Sequence, residues 1–378
     1  MKFIHLSDLH LGKRIDAYSM IEDQKYILDK IMSVILTEKP DGIIVAGDIY
    51  DKSVPSTEAV SLFDDFLCRL VSHDLRVFLI SGNHDSAERT AFASRIIKSS
   101  GVYVSPVYDG RVDPVILSDE YGDAAVYLLP FIKPAHVRAR FPDEKIESYT
   151  DAVACAVRHM DIDPERRNVL VAHQFITGAD RSESEDIPIG GLDNVDVSVF
   201  ADFDYVALGH LHGPQSVERS SVRYCGTPLK YSFSEVEHKK SVTVVELGKK
   251  GELSIRTVPL TPLRDMRVIR GTYNELTLRS NYENTPTDDY LKVILTDEDE
   301  EYGVMDKLRA IYPNIMKLGY DNTRTRTSGD VSAAADVARK SELELFAEFY
   351  ERQNGRPMNE SQYALSQKLL EEIKEGVK

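Results

Sequence analysis

Along the first two-thirds of the chain, apolar residues come in short unbroken runs separated by polar stretches. The runs are KFIHL (2–6), GIIVAG (42–47), RVFLIS (76–81), AVYLLP (125–130), NVLVAH (168–173) and YVALGH (205–210). They are rich in Val, Ile and Leu and show little alternation, as strands buried on both faces do. Between several of them the spacing switches to the helical period. Residues 19–38 carry Ile27, Leu28, Ile31, Met32 and Ile35 on one helical face and stop before Pro40, and residues 56–71 repeat the pattern. Strands alternating with helices predict a layered α/β domain over 1–260. A hairpin of SVTVVEL (241–247) and LSIRTVPL (253–260) around GKKG closes it.

Beyond this the pattern changes. TPLRDMR (261–267) reads as a boundary. Strand RVIRGTY, strand YLKVILTD, helix VMDKLRAIY and strand IMKLGY then predict a small α+β domain of split βαβ type over 261–320. DNTRTRTSGDVSAAAD (321–336) is polar and aperiodic and predicts a linker over 321–340. Two helices follow, 341–353 and 359–374, divided by NGRP, with Asn359 and Gln362 placed for a capping box. Leu343, Phe346, Phe349 and Tyr350 mark the first helix, and Leu365, Leu369 and Ile373 form an i, i+4 stripe on the second. Two short amphipathic helices have no core of their own, so the 341–378 segment is expected to dock on this protein or on a partner.

Composition narrows the class. Hydrophobic residues make up 42% and charged residues 29% of 378, as in a soluble globular protein, and no internal repeat is evident. No run approaches the ~18–20 apolar residues of a membrane span, and the N-terminal stretch lacks the apolar core of a signal peptide. Three cysteines, Cys68, Cys155 and Cys225, lie far apart without a CxxC, which fits a reducing, cytoplasmic setting. The formal net charge of −16 argues against a nucleic-acid binder that relies on overall basicity, but it does not speak to local patches.

The chemistry sits just after the strands. KFIHL is followed by Asp8 and His10 of SDLH. IIVA is followed by Asp48 and Asp51 of GDIYD, and VFLIS by Asn83, His84 and Asp85 of GNHD. VLVA leads into His173, and YVAL into His210 and His212 of GHLH. In α/β sheets the carboxyl ends of the strands converge on the ligand crevice. His, Asp and Asn side chains converging there form a mixed nitrogen and oxygen donor set suited to Mn, Fe or Zn. Gly47, Gly82 and Gly209 are expected to let the backbone turn where these residues leave the strands. Each cluster alone is weak, since DxH is common by chance and GNHD also fits an Asx turn. All five in order, each after a strand, are specific.

This ordered set resembles the calcineurin-like metallophosphoesterases, with no donor position missing. The opening FIHLSDLHLGK, GDIYDKSVPS and the C-terminal extension are further similar to the SbcD-type nuclease subunits within that family. The resemblance implies an α/β layered metallophosphoesterase sandwich with a small capping domain and C-terminal helices. It also implies two divalent metal ions, Mn²⁺ above all. One would be held by Asp8, His10, Asp48 and His212, the other by Asp48, Asn83, His173 and His210, with Asp48 shared. Two ions ~3.5–4 Å apart can clamp both oxygens of an in-line displacement at phosphorus. His84 would protonate or stabilise the leaving oxygen, and Asp85 would orient its ring. The implied activity is Mn-dependent DNA cleavage, exonucleolytic on duplexes and endonucleolytic on single strands. The implied partners are DNA, a second copy of the chain, and an SbcC-like coiled-coil ATPase gripped by the C-terminal helices. The competing reading is a phosphatase or nucleotide phosphodiesterase for small substrates, because fold and metals do not fix the substrate.

Other polar residues receive plainer expectations. Asp51 is either a partner of the site or a helix cap. His5, inside the first strand, is a hydrogen-bonded core residue. His73, His136, His159 and His238 belong to the surface or to packing. Lys13, Arg14 and Lys52 directly follow site motifs, where they either lie in solvent or touch a phosphate backbone.

Overall fold

A computed structural model describes residues 1–182, 185, 193–299 and 302–322. Of the C-terminal segment it describes residues 343, 346–347, 349–351, 357–359, 361–367 and 369. The continuous apolar runs form the centres of two six-stranded sheets. In the first, Lys2–Leu6, Gly42–Ala46, Arg76–Ile80 and Val102–Val104 lie parallel in that order, and Ser241–Leu247 and Leu253–Pro259 extend the other edge antiparallel. In the second, Arg219–Tyr224, Tyr205–Gly209, Arg167–His173 and Gly122–Leu128 are parallel, flanked by antiparallel Gln215–Val217 and Val115–Asp119.

The lack of alternation in the central strands has a direct cause. Ile44, Ala46, Phe78 and Ile80 of the first sheet pack against Val169, Val171, Tyr205 and Ala207 of the second, while the intervening Ile43, Val45, Val77 and Leu79 pack outward. Helices Ile21–Glu38 and Thr57–Ser72 cover that outer face through Ile27, Ile31, Ile35, Phe63 and Phe66. Helix Tyr149–Arg158 contributes Val153 and Ala156 to the corresponding core outside the second sheet. The result is a four-layer sandwich of helix, sheet, sheet and helix, the layered α/β class expected from the run pattern.

Several elements are not legible as runs. Arg219–Tyr224 (RSSVRY) is a strand although it carries a single aliphatic residue, because Val222 and Tyr224 alone enter the core. The helix Pro134–Arg138 and the strand Val102–Val104 are too short to show a period.

Met266–Gly271, Tyr290–Leu295 and Ile315–Tyr320 form a three-stranded sheet with Tyr290–Leu295 in the middle, and Val304–Arg309 is helical. The chain divides into two compact units. One holds residues 1–269, 277–293 and 303–318; the other holds 270–276, 294–302 and 319–378. Within the first unit, buried Asp23 accepts hydrogen bonds from Tyr290 Oη (2.8 Å) and Arg264 Nη1 (2.9 Å), fastening both to the first long helix. Within the second, Asn359 and Gln362 form the expected reciprocal capping pair, with N–H to side-chain distances of 3.0 and 2.9 Å. Residues 361–367 and 369 are helical, as are 343, 346, 347 and 349–351. Phe346, Phe349, Leu365 and Leu369 are exposed. Ile373 and nearly all of the expected linker lie outside the described residues. Among the described residues no helix is long and apolar enough to cross a membrane.

Candidate metal centre

The carboxyl ends of the parallel strands in both sheets bring the expected side chains together. Asp8 and His10 leave Lys2–Leu6, Asp48 leaves Gly42–Ala46, and Asn83, His84 and Asp85 leave Arg76–Ile80. His173 ends its own strand, and His210 and His212 follow Tyr205–Gly209. The loops are locked to one another. Asp8 N–H donates to the Gly47 carbonyl and His10 N–H to the Asp48 carbonyl, each at 3.0 Å, and His210 N–H donates to Asp8 Oδ1 at 3.0 Å. Asp8, His10, Asp48 and His210 all adopt positive φ (51°, 43°, 49° and 107°), a conformation that L side chains hold only when surrounding structure enforces it.

The glycines serve two different purposes. Gly47 has φ +85° and turns the chain as expected. Gly82 and Gly209 provide room instead: a Cβ at Gly82 would collide with the Asp48 carboxylate, and one at Gly209 with the Ala46 carbonyl oxygen.

Asp48 lies at the centre and is 2% exposed. Its Oδ1 accepts the His84 N–H (2.9 Å), and its Oδ2 lies 3.3 Å from His173 Nε2, 3.9 Å from His10 Nε2 and 4.0 Å from His84 Nε2. Asn83 Oδ1 stands 2.9 Å from His173 Nε2 and 3.0 Å from His210 Nδ1. His10 Nε2 and His212 Nε2 are 3.2 Å apart. Asp8, His10 and His212 offer one convergent donor set, and Asp8, Asp48 and His173 offer another.

The hydrogen bonds fix how these rings face one another. His173 Nδ1 donates to the Ala46 carbonyl (2.8 Å), so a neutral ring aims its Nε2 lone pair at two acceptors, Asn83 Oδ1 and Asp48 Oδ2. His212 Nδ1 donates to Glu235 Oε1 (3.1 Å), so its Nε2 lone pair faces His10 Nε2. His10 Nδ1 is buried without a hydrogen-bond partner. Acceptors facing acceptors repel unless a proton or a cation lies among them. The titration behaviour follows. Burial favours a neutral His173, yet the Asp48 charge outweighs it and lifts the ring to about 9. Burial would also raise Asp48, but His173, His10 and His84 hold it well below the carboxylate range. Burial pushes Asp8 up to about 6 and, aided by the His173 charge, takes His210 down to about 3. Once His173 gives up its extra proton, these imidazoles and carboxylates form a donor set that fits divalent cations.

His84 is one-quarter exposed in its side chain, and its Nδ1 donates to the Asp51 carbonyl at 3.0 Å. The expectation that Asp85 orients this ring is corrected. The Asp85 carboxylate accepts the N–H groups of Ile49 (3.1 Å), Tyr50 (3.0 Å) and Gly82 (3.0 Å), and so clamps the two loops that carry Asp48 and Asn83. Of the two alternatives for Asp51 the structure favours a partner of the site: its carbonyl accepts from His84 and its carboxylate from Lys13 (2.7 Å), while Ser56 caps the following helix. His5 bonds Tyr205 Oη at 2.8 Å inside the core, as expected.

Sequence reading missed the supports around these residues. Gln24, 1% exposed, donates to the His10 carbonyl (2.7 Å) and accepts from Gly12 N–H (2.9 Å). Tyr231 Oη donates to the Leu9 carbonyl (2.6 Å). Glu185 accepts the His212 N–H (2.6 Å), and Glu235 takes its ring. A glutamine inside an amphipathic helix and a glutamate in SEVEH carry no local sign of such roles.

Comparison with known proteins agrees with this architecture. The calcineurin-like phosphoesterase family matches residues 1–214, and the family described as the type 5 capsule protein repressor C-terminal domain (SbcD_C) matches 262–354. Proteins named as the SbcD subunit of nuclease SbcCD, from Staphylococcus epidermidis and Staphylococcus saprophyticus, are 36% and 35% identical to this chain over 322 residues. That is 84% of this chain in both cases, and 85% and 84% of the relatives. The chain belongs to the SbcD family of calcineurin-like phosphoesterases. Among solved structures, a dimetal phosphatase from Danio rerio aligns with 70% of this chain and 98% of its own, at 10% identity and a TM-score of 0.40. Membership in the SbcD family makes the chain a metal-dependent phosphoesterase, and the Asp and His clusters are where it offers donors for divalent ions.

Proposed function

We propose that this chain is the nuclease subunit of an SbcCD-type DNA repair and recombination complex and hydrolyses DNA phosphodiesters with two Mn²⁺ ions. The observation that carries the reading is the convergence of seven donor side chains from five loops in a chain that matches SbcD subunits over most of its length. Asp8, His10, Asp48 and His212 would hold one ion, and Asp48, Asn83, His173 and His210 the other. Bound there, divalent ions would supply Lewis-acid stabilisation of charge on the phosphoryl oxygens and lower the pKa of water.

The chain's own residues do the rest. Asp48, with two carboxylate oxygens, would serve both positions. Asn83 adds a neutral oxygen and keeps the second position from becoming over-anionic. The Ala46 carbonyl and Glu235 fix the tautomers of His173 and His212, presenting Nε2 in both. His84 is the catalytic residue for the leaving group. Its Nδ1–H is fixed on the Asp51 carbonyl, so Nε2, on the cleft side, takes up a proton and delivers it to the departing oxygen. Asp85 is a positioning residue for the loops that carry Asp48 and Asn83.

The remainder of the reading concerns assembly. Residues 1–260 form the nuclease domain and 261–320 the capping domain. After the 321–340 linker, the 341–378 helices grip the coiled coil of an SbcC-like ATPase through Phe346, Phe349, Leu365 and Leu369. The chain works as a homodimer in the cytoplasm. The test is cleavage of duplex DNA, single-stranded DNA and a panel of nucleotide monoesters by the Mn²⁺-loaded chain, alone and with its ATPase. DNA cleavage abolished by EDTA is expected. Efficient monoester hydrolysis with intact DNA would install the small-substrate reading instead. A chain ending near residue 335 is expected to retain basal cleavage and lose the ATPase in a pull-down.

A further inference from the structure

Two of the metal-facing histidines are held in unlike ways. His173 Nδ1 donates to a neutral backbone carbonyl, that of Ala46, at 2.8 Å. His212 Nδ1 donates to a carboxylate, Glu235 Oε1, at 3.1 Å. Glu235 is fully buried at the end of the short turn Phe233–Glu235, outside the five sequence motifs. Its other oxygen receives Lys240 Nζ at 2.6 Å, and that ammonium also donates to the His212 carbonyl (2.9 Å) and to Thr227 Oγ1 (2.6 Å). Thr227 N–H returns to the same His212 carbonyl at 3.2 Å. Ring and backbone of His212 are therefore held by one closed network.

A carboxylate on the far nitrogen of a ligating imidazole fixes the ring and increases its basicity, and removing such a partner typically costs about 10–100-fold in metal affinity. The direct donors do not offset this difference: Asp8 converges with His10 and His212 and also with Asp48 and His173, so both positions are offered carboxylates.

From this asymmetry we infer that Glu235 is a positioning residue that makes the His212 metal position the tighter of the two, so that the sites fill in sequence. The inference rests on the two-metal reading above. The His173 position, bounded by half-buried Asn83 and without a carboxylate behind its ring, fills second and sets the metal concentration at which turnover appears.

The test is a Mn²⁺ titration of the full chain, with bound ion counted by calorimetry and by the electron-paramagnetic signal of free Mn²⁺. Wild type is expected to bind in two resolved steps. In E235Q, a near-isosteric change, the tight step should weaken by about 10–100-fold while the weak step stays in place. E235D, which restores a carboxylate on a shorter stem, should recover part of the loss, a rescue that mere packing would not give. N83A should show the converse, moving only the weak step. Equal weakening of both steps in E235Q, or no change in either, overturns the inference while leaving the two-metal reading intact. A wild-type chain that takes up no Mn²⁺ overturns both.

Discussion

The strand Arg167–His173 carries a buried charged group at each end, and the two ends are built on opposite principles. At the amino end, Arg167 is 2% exposed and nearly satisfied from within the chain. Its Nη atoms donate to both oxygens of Asp119 (3.0 and 2.6 Å) and to the carbonyls of Gly122 (2.6 Å) and Gly248 (3.1 Å); only Nε lacks a partner. The N-terminal ammonium joins Asp119 at 2.9 Å. At the carboxyl end, His173 faces Asn83 and Asp48, acceptors that it satisfies only by taking up an extra proton. One end neutralises its own charges; the other offers convergent donors for a divalent ion. A buried charged cluster is therefore no sign of function in itself. What marks the functional end is the excess of convergent acceptors, together with strained backbone at Asp8, His10, Asp48 and His210.

Breaking the open end should have the largest effect. Asp48→Ala removes the carboxylate proposed to serve both ions, so metal content and turnover should fall together, turnover by about 10⁴-fold or more. A variant that keeps two ions per chain would remove Asp48 from the bridging role. His84→Ala is next. On the proposed reading His84 serves the leaving group and is no ligand, although its Nε2 lies 4.0 Å from Asp48 Oδ2, so both ions should remain while turnover falls ~10²–10⁴-fold. Loss of metal in His84→Ala would instead place that ring among the ligands. At the closed end, Arg167→Met leaves Asp119, largely shielded from solvent, without its bidentate partner. The change should cost about 3–5 kcal/mol of stability, read as a lower melting temperature in EDTA. Metal content per folded chain should not change.

Acid sharpens the contrast by a smaller amount. Hydrogen bonds from Arg167, acting against burial, hold Asp119 below the usual carboxylate range. A depressed folded-state pKa contributes stability above the unfolded value of about 3.9 and loses it as the pH falls through the folded one. Wild type should therefore lose stability below about pH 4 in EDTA, and Asp119→Asn should flatten that part of the profile.

Much of the open end is legible in the sequence because its donors follow apolar runs directly. Runs that form doubly buried strands announce themselves without alternation, and the residues after them inherit the sheet's carboxyl edge. Its supports are not legible. Gln24, Tyr231 and Glu235 reach the site from elements whose local pattern reads as ordinary helix or surface, and only the packing of distant segments brings them there. Asp85 shows the limit from the other direction. Adjacency to His84 points to a ring contact, whereas loop geometry turns its carboxylate onto three backbone N–H groups. Arg219–Tyr224 shows no run because a parallel strand can be held by two core residues and its ladder.

The most direct test is a metal count paired with thermal unfolding. The wild-type chain, stripped with EDTA and then equilibrated with Mn²⁺, should carry two ions per chain by elemental analysis. Its melting temperature should rise, with a gain of about 2.7 kcal/mol from each ion whose dissociation constant is one hundredth of the free concentration, and Arg167→Met should gain by the same amount. A chain that holds no Mn²⁺ and melts identically with and without it would contradict the claim that this end of the sandwich is built around divalent cations.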